Sequence, residues 1–192
     1  MKIYTKTGDK GTTQVYTSEV LRLDKNDAVL ECYGSIDELN SHIGLLSSLL
    51  ADVKSEQPKV SSQDNVNTVL DEFVSPAFMF GIQQTLFSIG FAISDKPQIE
   101  NNATEALEQA IDAMHSKLQP QTKFILPGGT QVASQAHICR TVTRRAERTI
   151  VTVSKQQNVP AICIQYLNRL SDYFFVAARY LNHRVNHADI EV

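Results

Sequence analysis

Apolar side chains recur at three- and four-residue intervals along most of this chain. Ile36, Leu39, Ile43, Leu46 and Leu50 form one such stripe, the signature of an amphipathic helix. Ser35-Ile36-Asp37-Glu38 reads as a capping box and predicts that this helix starts near Ser35. Residues 52–65 are polar, contain Pro58 and read as a loop or weakly ordered link. A second apolar stretch spans about Val66 to Ile93, with a break or a start at Pro76. A third, from about Thr104 to Leu118, carries Ala106, Leu107, Ala110, Ile111 and Met114. Pro120 to Gly129 is a connection. A fourth helix is predicted from a Thr130 cap to about Gln156, and a fifth from Pro160 to about Val185, with Leu167, Leu170, Phe174, Ala177 and Leu181 on its stripe. Residues 1–30 are polar and turn-rich, densest in loop signals at Thr7-Gly8-Asp9-Lys10-Gly11-Thr12-Thr13. Five helical segments and a polar N-terminal arm, with no repeat or low-complexity tract, predict an all-α five-helix bundle in one domain over residues 1–192, with the bundle at about 33–188.

Composition supports this pattern. The 192 residues are 42% apolar and 20% charged, with 8 Gly and no Trp, values of a soluble globular protein with a helical bias. The net charge of −3 conceals an asymmetry. Residues 1–123 hold 10 basic and 17 acidic side chains, whereas residues 124–188 hold 8 basic and 2 acidic, and seven of the eight arginines lie at or beyond Arg140. A general nucleic-acid binder is more often basic throughout, so the pattern points to a local anion site. Three cysteines without CxxC spacing argue against a disulfide scaffold or Cys-based zinc site and suit a reducing compartment. No leader-like segment is visible, and no window approaches the roughly 18 apolar residues of a membrane span. The expectation is a cytoplasmic protein with no membrane and no nucleic-acid partner.

Three segments carry candidate chemistry. On the fourth helix, His137, Arg140, Arg144, Glu147 and Arg148 fall within roughly a 100° arc, opposite Ile138, Val142, Ala146 and Val153. Arginines at i, i+4 and i+8 repel one another unless an anion or carboxylates lie between them, and guanidinium forks suit phosphate. From spacing alone, a solvated face or pairing with acids of neighbouring helices is the slightly favoured reading. The loop Thr5-Lys6-Thr7-Gly8-Asp9-Lys10-Gly11 has glycines for close backbone approach and hydroxyls and Lys6 for phosphate oxygens, but it is not a Walker A loop. Asn168-Arg169-Leu170-Ser171-Asp172 puts Asn168, Asp172 and Phe175 on a face distinct from the apolar stripe. No Glu-x-x-His occurs; Asp112-x-x-His115 is the nearest approach, and the five histidines show no ligand spacing. No protein-held metal site is expected, while a phosphate-bound Mg²⁺ needs only one or two carboxylates.

Six stretches carry a family likeness: IYTKTGDKG (Ile3 to Gly11), YGSIDELNSHIG (Tyr33 to Gly44), IQQTLFSIG (Ile82 to Gly90), FILPGGT (Phe124 to Thr130), RTVTRRAER (Arg140 to Arg148) and YLNRLSDYFFVAAR (Tyr166 to Arg179). In this order they resemble the PduO-type ATP:cob(I)alamin adenosyltransferases, the corrinoid adenosyltransferase family. The resemblance implies a homotrimer with active sites between subunits and transfer of the 5′-deoxyadenosyl group of ATP to the cobalt of cob(I)alamin, with release of tripolyphosphate. It implies ATP and cob(I)alamin as substrates, Mg²⁺ on the triphosphate, and a flavin-dependent reductase and an adenosylcobalamin-using enzyme as partners. By position it implies ATP contacts at Thr5, Lys6, Thr7, Gly8, Thr13, Lys25, Arg144, Arg145, Glu147, Arg148 and Asn168. Asp37 and Arg140 match an inter-subunit pair that orders the site, and Phe124 matches the aromatic that closes the lower corrin face. Arg144, Arg140, Asp37 and Phe124 are therefore the catalytic set. The chain departs from the family at Gln14 to Glu19, which lack the usual glycine pair, and at Ala136 and Cys139, more often Leu and Ala. An ATP- or corrinoid-binding carrier or sensor without turnover shares the same site and stands as the alternative.

Overall fold

The computed structural model describes residues 2–16, 20–56, 72–94, 99–100 and 102–192. The arm holds two strands, β1 (Thr12–Tyr16) and β2 (Val20–Asp24), paired antiparallel from Thr12 opposite Asp24 to Tyr16 opposite Val20. This hairpin was not expected. It is built from Thr, Val and Leu, residues that suit a pleated strand; of the segment lacking the glycine pair, Gln14 to Tyr16 belong to β1, and residues 17–19 lie outside the described residues.

The first helix, α1 (Ala28–Glu56), begins seven residues before the expected start. Asp27 is the cap: its Oδ1 accepts from the Val29 amide at 2.8 Å, and its carbonyl accepts from Glu31 at 3.0 Å. Val29 and Cys32 continue the Ile36-Leu39-Ile43 stripe upstream, so Ser35 is not a cap but a buried mid-helix residue, 4% exposed. Residues 52–56 are helical and not part of a link; residues 57–71, where the rest of that link and the start of the second apolar stretch fall, lie outside the described residues. Helix α2 (Pro76–Ile93) starts at Pro76, with the Ser75 hydroxyl accepting from the Phe78 amide at 3.2 Å. By length and composition α2 is apolar enough to cross a membrane, beyond the sequence expectation; 33% of it is buried. Ile82, Leu86 and Ile89 face the core, while Phe80, Phe87 and Phe91 form an exposed stripe.

Helix α3 (Ala103–His115) buries Leu107, Ala110 and Met114. Helix α4 (Gln131–Ser154) starts at Thr130 as predicted, its hydroxyl accepting from the Ala133 amide at 3.2 Å. Gly129 before it has φ +103°, and any side chain there would collide with Asn182. Replacing Thr130 with Ala should lower stability by about 1 kcal/mol, the usual worth of an N-cap hydroxyl, read as a denaturant midpoint shift at unchanged slope. Helix α5 (Ala161–His183) ends in a turn through Asn186 at φ 55°, where the His187 amide reaches the Asn182 carbonyl at 3.0 Å.

One hydrophobic core joins the five helices of the described residues. α4 packs against both α1 and α5, α2 lies on α1, and α3 lies on α5. Val142, Ala146 and Val153 are buried as predicted, but Ile138 is 43% exposed. The buried arc of α4 is centred on Cys139, Val142, Ala146 and Ile150, so Ile138 falls at its edge. Cys32, Cys139 and Cys163 are buried free thiols, and burial pushes them up to about 11, 12 and 11.

Candidate active site

Three recesses adjoin one another, two against α4 and one at the 121–124 segment before it. The central cleft, about 570 Å³, has Arg140 and Arg144 on one wall and Asp172, Phe175 and Arg179 on the other. Gln121 also lines a shallower recess of about 440 Å³ that holds Phe124. Arg144 also lines a third of about 230 Å³, with Glu147 and Arg148. An exposed aromatic, a mixed cleft and a cationic end thus follow in sequence, with Arg144 at the second junction.

The stripe expected on α4 is present, and its members behave differently. Arg144 is exposed and makes no ion pair among the described residues. Arg148 donates from Nη1 to the Arg144 carbonyl at 2.9 Å, and Glu147 accepts from Asn168 Nδ2 at 2.9 Å, which ties α4 to α5 at the cationic end. Arg145 points elsewhere, into an ion pair with Glu38 of α1. Arg140 is half-buried over the Phe175 ring, 6.0 Å from the centroid, with its Nε lacking a partner among the described residues. Burial first, and the Arg144 charge second, pull Arg140 down from the ordinary guanidinium value.

His137 sits behind this wall, 3% exposed, with its ring 6.3 Å from that of Phe175 and neither nitrogen bonded among the described residues. Burial, and then the Arg140 charge, lower it to about 4, so at neutral pH it is an uncharged spacer and not part of the cationic stripe. Asp172 lines the cleft while paired with Arg169 at 2.8 Å, and Arg169 also holds Glu108 at 3.0 Å.

The arm is organised separately. Lys6 adopts φ 60°, an uncommon conformation for a residue with a side chain, and the Thr5 and Thr7 hydroxyls lie 2.9 Å apart. Lys25 is brought to the loop: its Nζ lies 3.4 Å from where a Gly8 side chain would begin, and its amide donates to Gly11 at 2.8 Å. Arg22, which sequence reasoning passed over, pins the loop from β2 by donating to the Thr7 carbonyl at 2.6 Å and to Thr12 Oγ1 at 2.8 Å. A lone arginine in a strand carries no sequence signal for that role. Thr13 and Asp37 line a further cleft of about 510 Å³, with Val15, Tyr33, Phe87 and Phe91. This arm cleft and the arginine cleft share no residue. Among the described residues, no ion pair joins Asp37 to Arg140 within one chain. Among the described residues no group of three or more His, Cys, Asp or Glu is placed to hold a metal ion.

The cobalamin adenosyltransferase family model matches residues 3–181. The chain is 40% identical over 196 residues to the corrinoid adenosyltransferase of Bacillus subtilis (strain 168), covering 100% of this chain and 92% of that one. It is 40% identical over 184 residues to corrinoid adenosyltransferase MMAB of Homo sapiens, covering 93% and 68%. A solved structure of a variant PduO-type ATP:corrinoid adenosyltransferase from Lactobacillus reuteri, complexed with cobalamin and ATP, is similar at a TM-score of 0.81 and 36% identity, covering 100% of this chain and 99% of that one. With the match running through the arm, the arginine helix and α5, the chain belongs to the cobalamin adenosyltransferase family.

Proposed function

We infer that this chain transfers the 5′-deoxyadenosyl group of ATP to the cobalt of cob(I)alamin, an alkyl-group transfer that releases tripolyphosphate. The observation that carries the reading is the row of recesses from Phe124 through the central cleft to Arg144, Glu147 and Arg148. Cob(I)alamin is itself a strong nucleophile, so the protein need not supply one. The cobalt lone pair forms the bond to C5′ while the C5′–O5′ bond breaks and its electrons leave on the triphosphate. The tasks left to the protein are alignment of the two substrates and stabilisation of the departing charge. Arg144 and Arg148, with Lys6 and Lys25 from the arm, answer the second; Asn168 and Glu147 orient the nucleotide end. Mg²⁺ would come with the triphosphate and offset part of its charge, and Glu147 at the cationic end is the carboxylate that would hold it.

The same geometry supports a homotrimer with sites between subunits. In this reading the arm loop and the arginine cleft are each half of an ATP site, and no loop residue from Thr5 to Gly11 lines the arginine cleft. Pairing Asp37 of one subunit with Arg140 of the next brings them together and gives the bare Arg140 Nε an acceptor. The exposed Phe80, Phe87 and Phe91 stripe beside Asp37 is then covered. The buried thiols fit a reducing cytoplasm; the need for Co(I) calls for a reductase, proposed to be flavin-dependent, and the product calls for an enzyme that uses it.

Anaerobic incubation with ATP and chemically reduced cobalamin should yield adenosylcobalamin and tripolyphosphate in equal amounts, followed by the absorbance change and phosphate analysis. Saturable binding of both substrates with no product would replace the enzyme with a carrier.

A further inference from the structure

Phe124 is 82% exposed, so packing does not hold it in place. Its backbone does. The Val192 amide donates to the Phe124 carbonyl at 2.9 Å, and the Leu126 amide donates to the Ile190 carbonyl at 2.9 Å, forming a bridge of Ile125 to Glu191. The C-terminal residues therefore lie as a strap along 124–126.

Ile190 and Val192 are 61% and 65% exposed, and the Lys123–Glu191 pair at 3.2 Å is exposed on both sides, so each contributes little. The buried anchor is Asp189, whose Oδ2 accepts from Arg179 Nε at 2.8 Å, the two side chains being 18% and 8% exposed. Arg179 Nη2 also donates to the Gln119 carbonyl at 3.1 Å. One guanidinium on α5 thus fixes both the strap and the start of the 119–126 segment, while lining the cleft itself. Farther along, Asn182 holds the Gly128 carbonyl at 3.0 Å and the Thr130 amide at 3.0 Å.

We propose that Arg179 and Asp189 are positioning residues that clamp the C-terminal strap and thereby set where Phe124 stands relative to the corrin cleft. The proposal rests on the reading of Phe124 as the residue beneath the corrin. It gives the ion pair a purpose beyond stability: a partnered buried charge is costly to unpair, so the strap cannot drift without uncovering Arg179 inside the cleft.

The test uses the full chain, Asp189→Asn, a chain ending at Asp189, and Phe124→Ala as reference. Amide hydrogen exchange is read at residues 124–126 and in the helices, alongside KM for ATP and for cobalamin and the spectrum of four-coordinate Co(II) cobalamin with ATP bound. Exchange at the Leu126 amide should rise at least about tenfold in both strap variants, as a local opening, with helix amides unchanged. The four-coordinate Co(II) signal should fall towards that of Phe124→Ala and KM for cobalamin should rise, while KM for ATP holds. Unchanged exchange at Leu126, or equal loosening of the helices, overturns the clamp. A loosened segment with a full Co(II) signal also overturns it, while a lost signal in Phe124→Ala leaves the reading of Phe124 standing. If Phe124→Ala keeps the signal, that reading fails and the proposal falls with it.

Discussion

Replacing Arg144 with Ala should lower kcat/KM for ATP by roughly a hundred- to a thousandfold, the loss usual when a preorganised contact to developing charge is removed. The folded protein should be little affected. Arg144 is exposed, and the loss of its side chain breaks no ion pair among the described residues. Thermal unfolding of the variant should therefore match the parent closely, as for most surface substitutions. The size of the kinetic effect follows from position. Arg144 alone lines both the central cleft and the cationic recess with Glu147 and Arg148, so in the proposed function it would stand where the bond to the leaving triphosphate breaks. Charge grows there only as C5′ is transferred, and the fall should appear in kcat at least as strongly as in KM. Arg144→Lys keeps the charge without the planar fork and should fall between the two. A folded Arg144→Ala protein with parental kinetics would remove the residue from the site. Steady-state kinetics under anaerobic conditions, with nucleotide binding measured separately, decide the matter.

The stripe to which Arg144 belongs was legible because a helix repeats every 3.6 residues, and three arginines at that spacing are visible in any chain. What spacing could not say is that the members do different work. Arg145 lies next to Arg144 in sequence, yet the turn of the helix carries it to Glu38 on α1. His137 shares the arc but is buried, because α4 is covered on that side by Phe175 of α5. Periodicity reports the direction of a side chain from its own helix and nothing about which neighbour lies there. The early start of α1 has a similar origin: Ser35 and Asp27 are both adequate caps, and burial of Cys32 and Ile36 on one continuous stripe favours the longer helix. The hairpin was hidden because five-residue strands of mixed polarity carry little pattern. The strap was wholly invisible, since its bonds are made by backbone groups of the last residues to a loop more than sixty positions earlier. By contrast the Thr130 cap and the Pro76 start rest on local chemistry, and both stand where they were expected.

Phe124→Ala should depress overall adenosylation from Co(II) cobalamin by roughly a hundredfold while changing nucleotide affinity little, on the scale of a lost transition-state contact. The difficult step before transfer is electron gain by cobalt. Five-coordinate Co(II), with its lower axial ligand in place, is hard to reduce; four-coordinate Co(II) accepts an electron more readily. An apolar ring beneath the corrin has no lone pair to offer the metal and excludes water from that position. In the proposed function Phe124 is the residue that would meet this requirement, and its exposure sets it apart from an ordinary core residue. It is 82% exposed, with Leu126, Ile190 and Val192 also exposed around the same segment, an apolar face awaiting an apolar ligand. Because so little of the ring is buried, truncation should leave thermal stability nearly unchanged, which separates this effect from plain destabilisation. The decisive comparison supplies cobalamin already reduced to Co(I). There the variant should recover most of its rate, since the step that Phe124 assists has been bypassed. Equal losses with Co(II) and Co(I) would place Phe124 in corrin binding and not in reduction, and parental rates with both would remove it from the site.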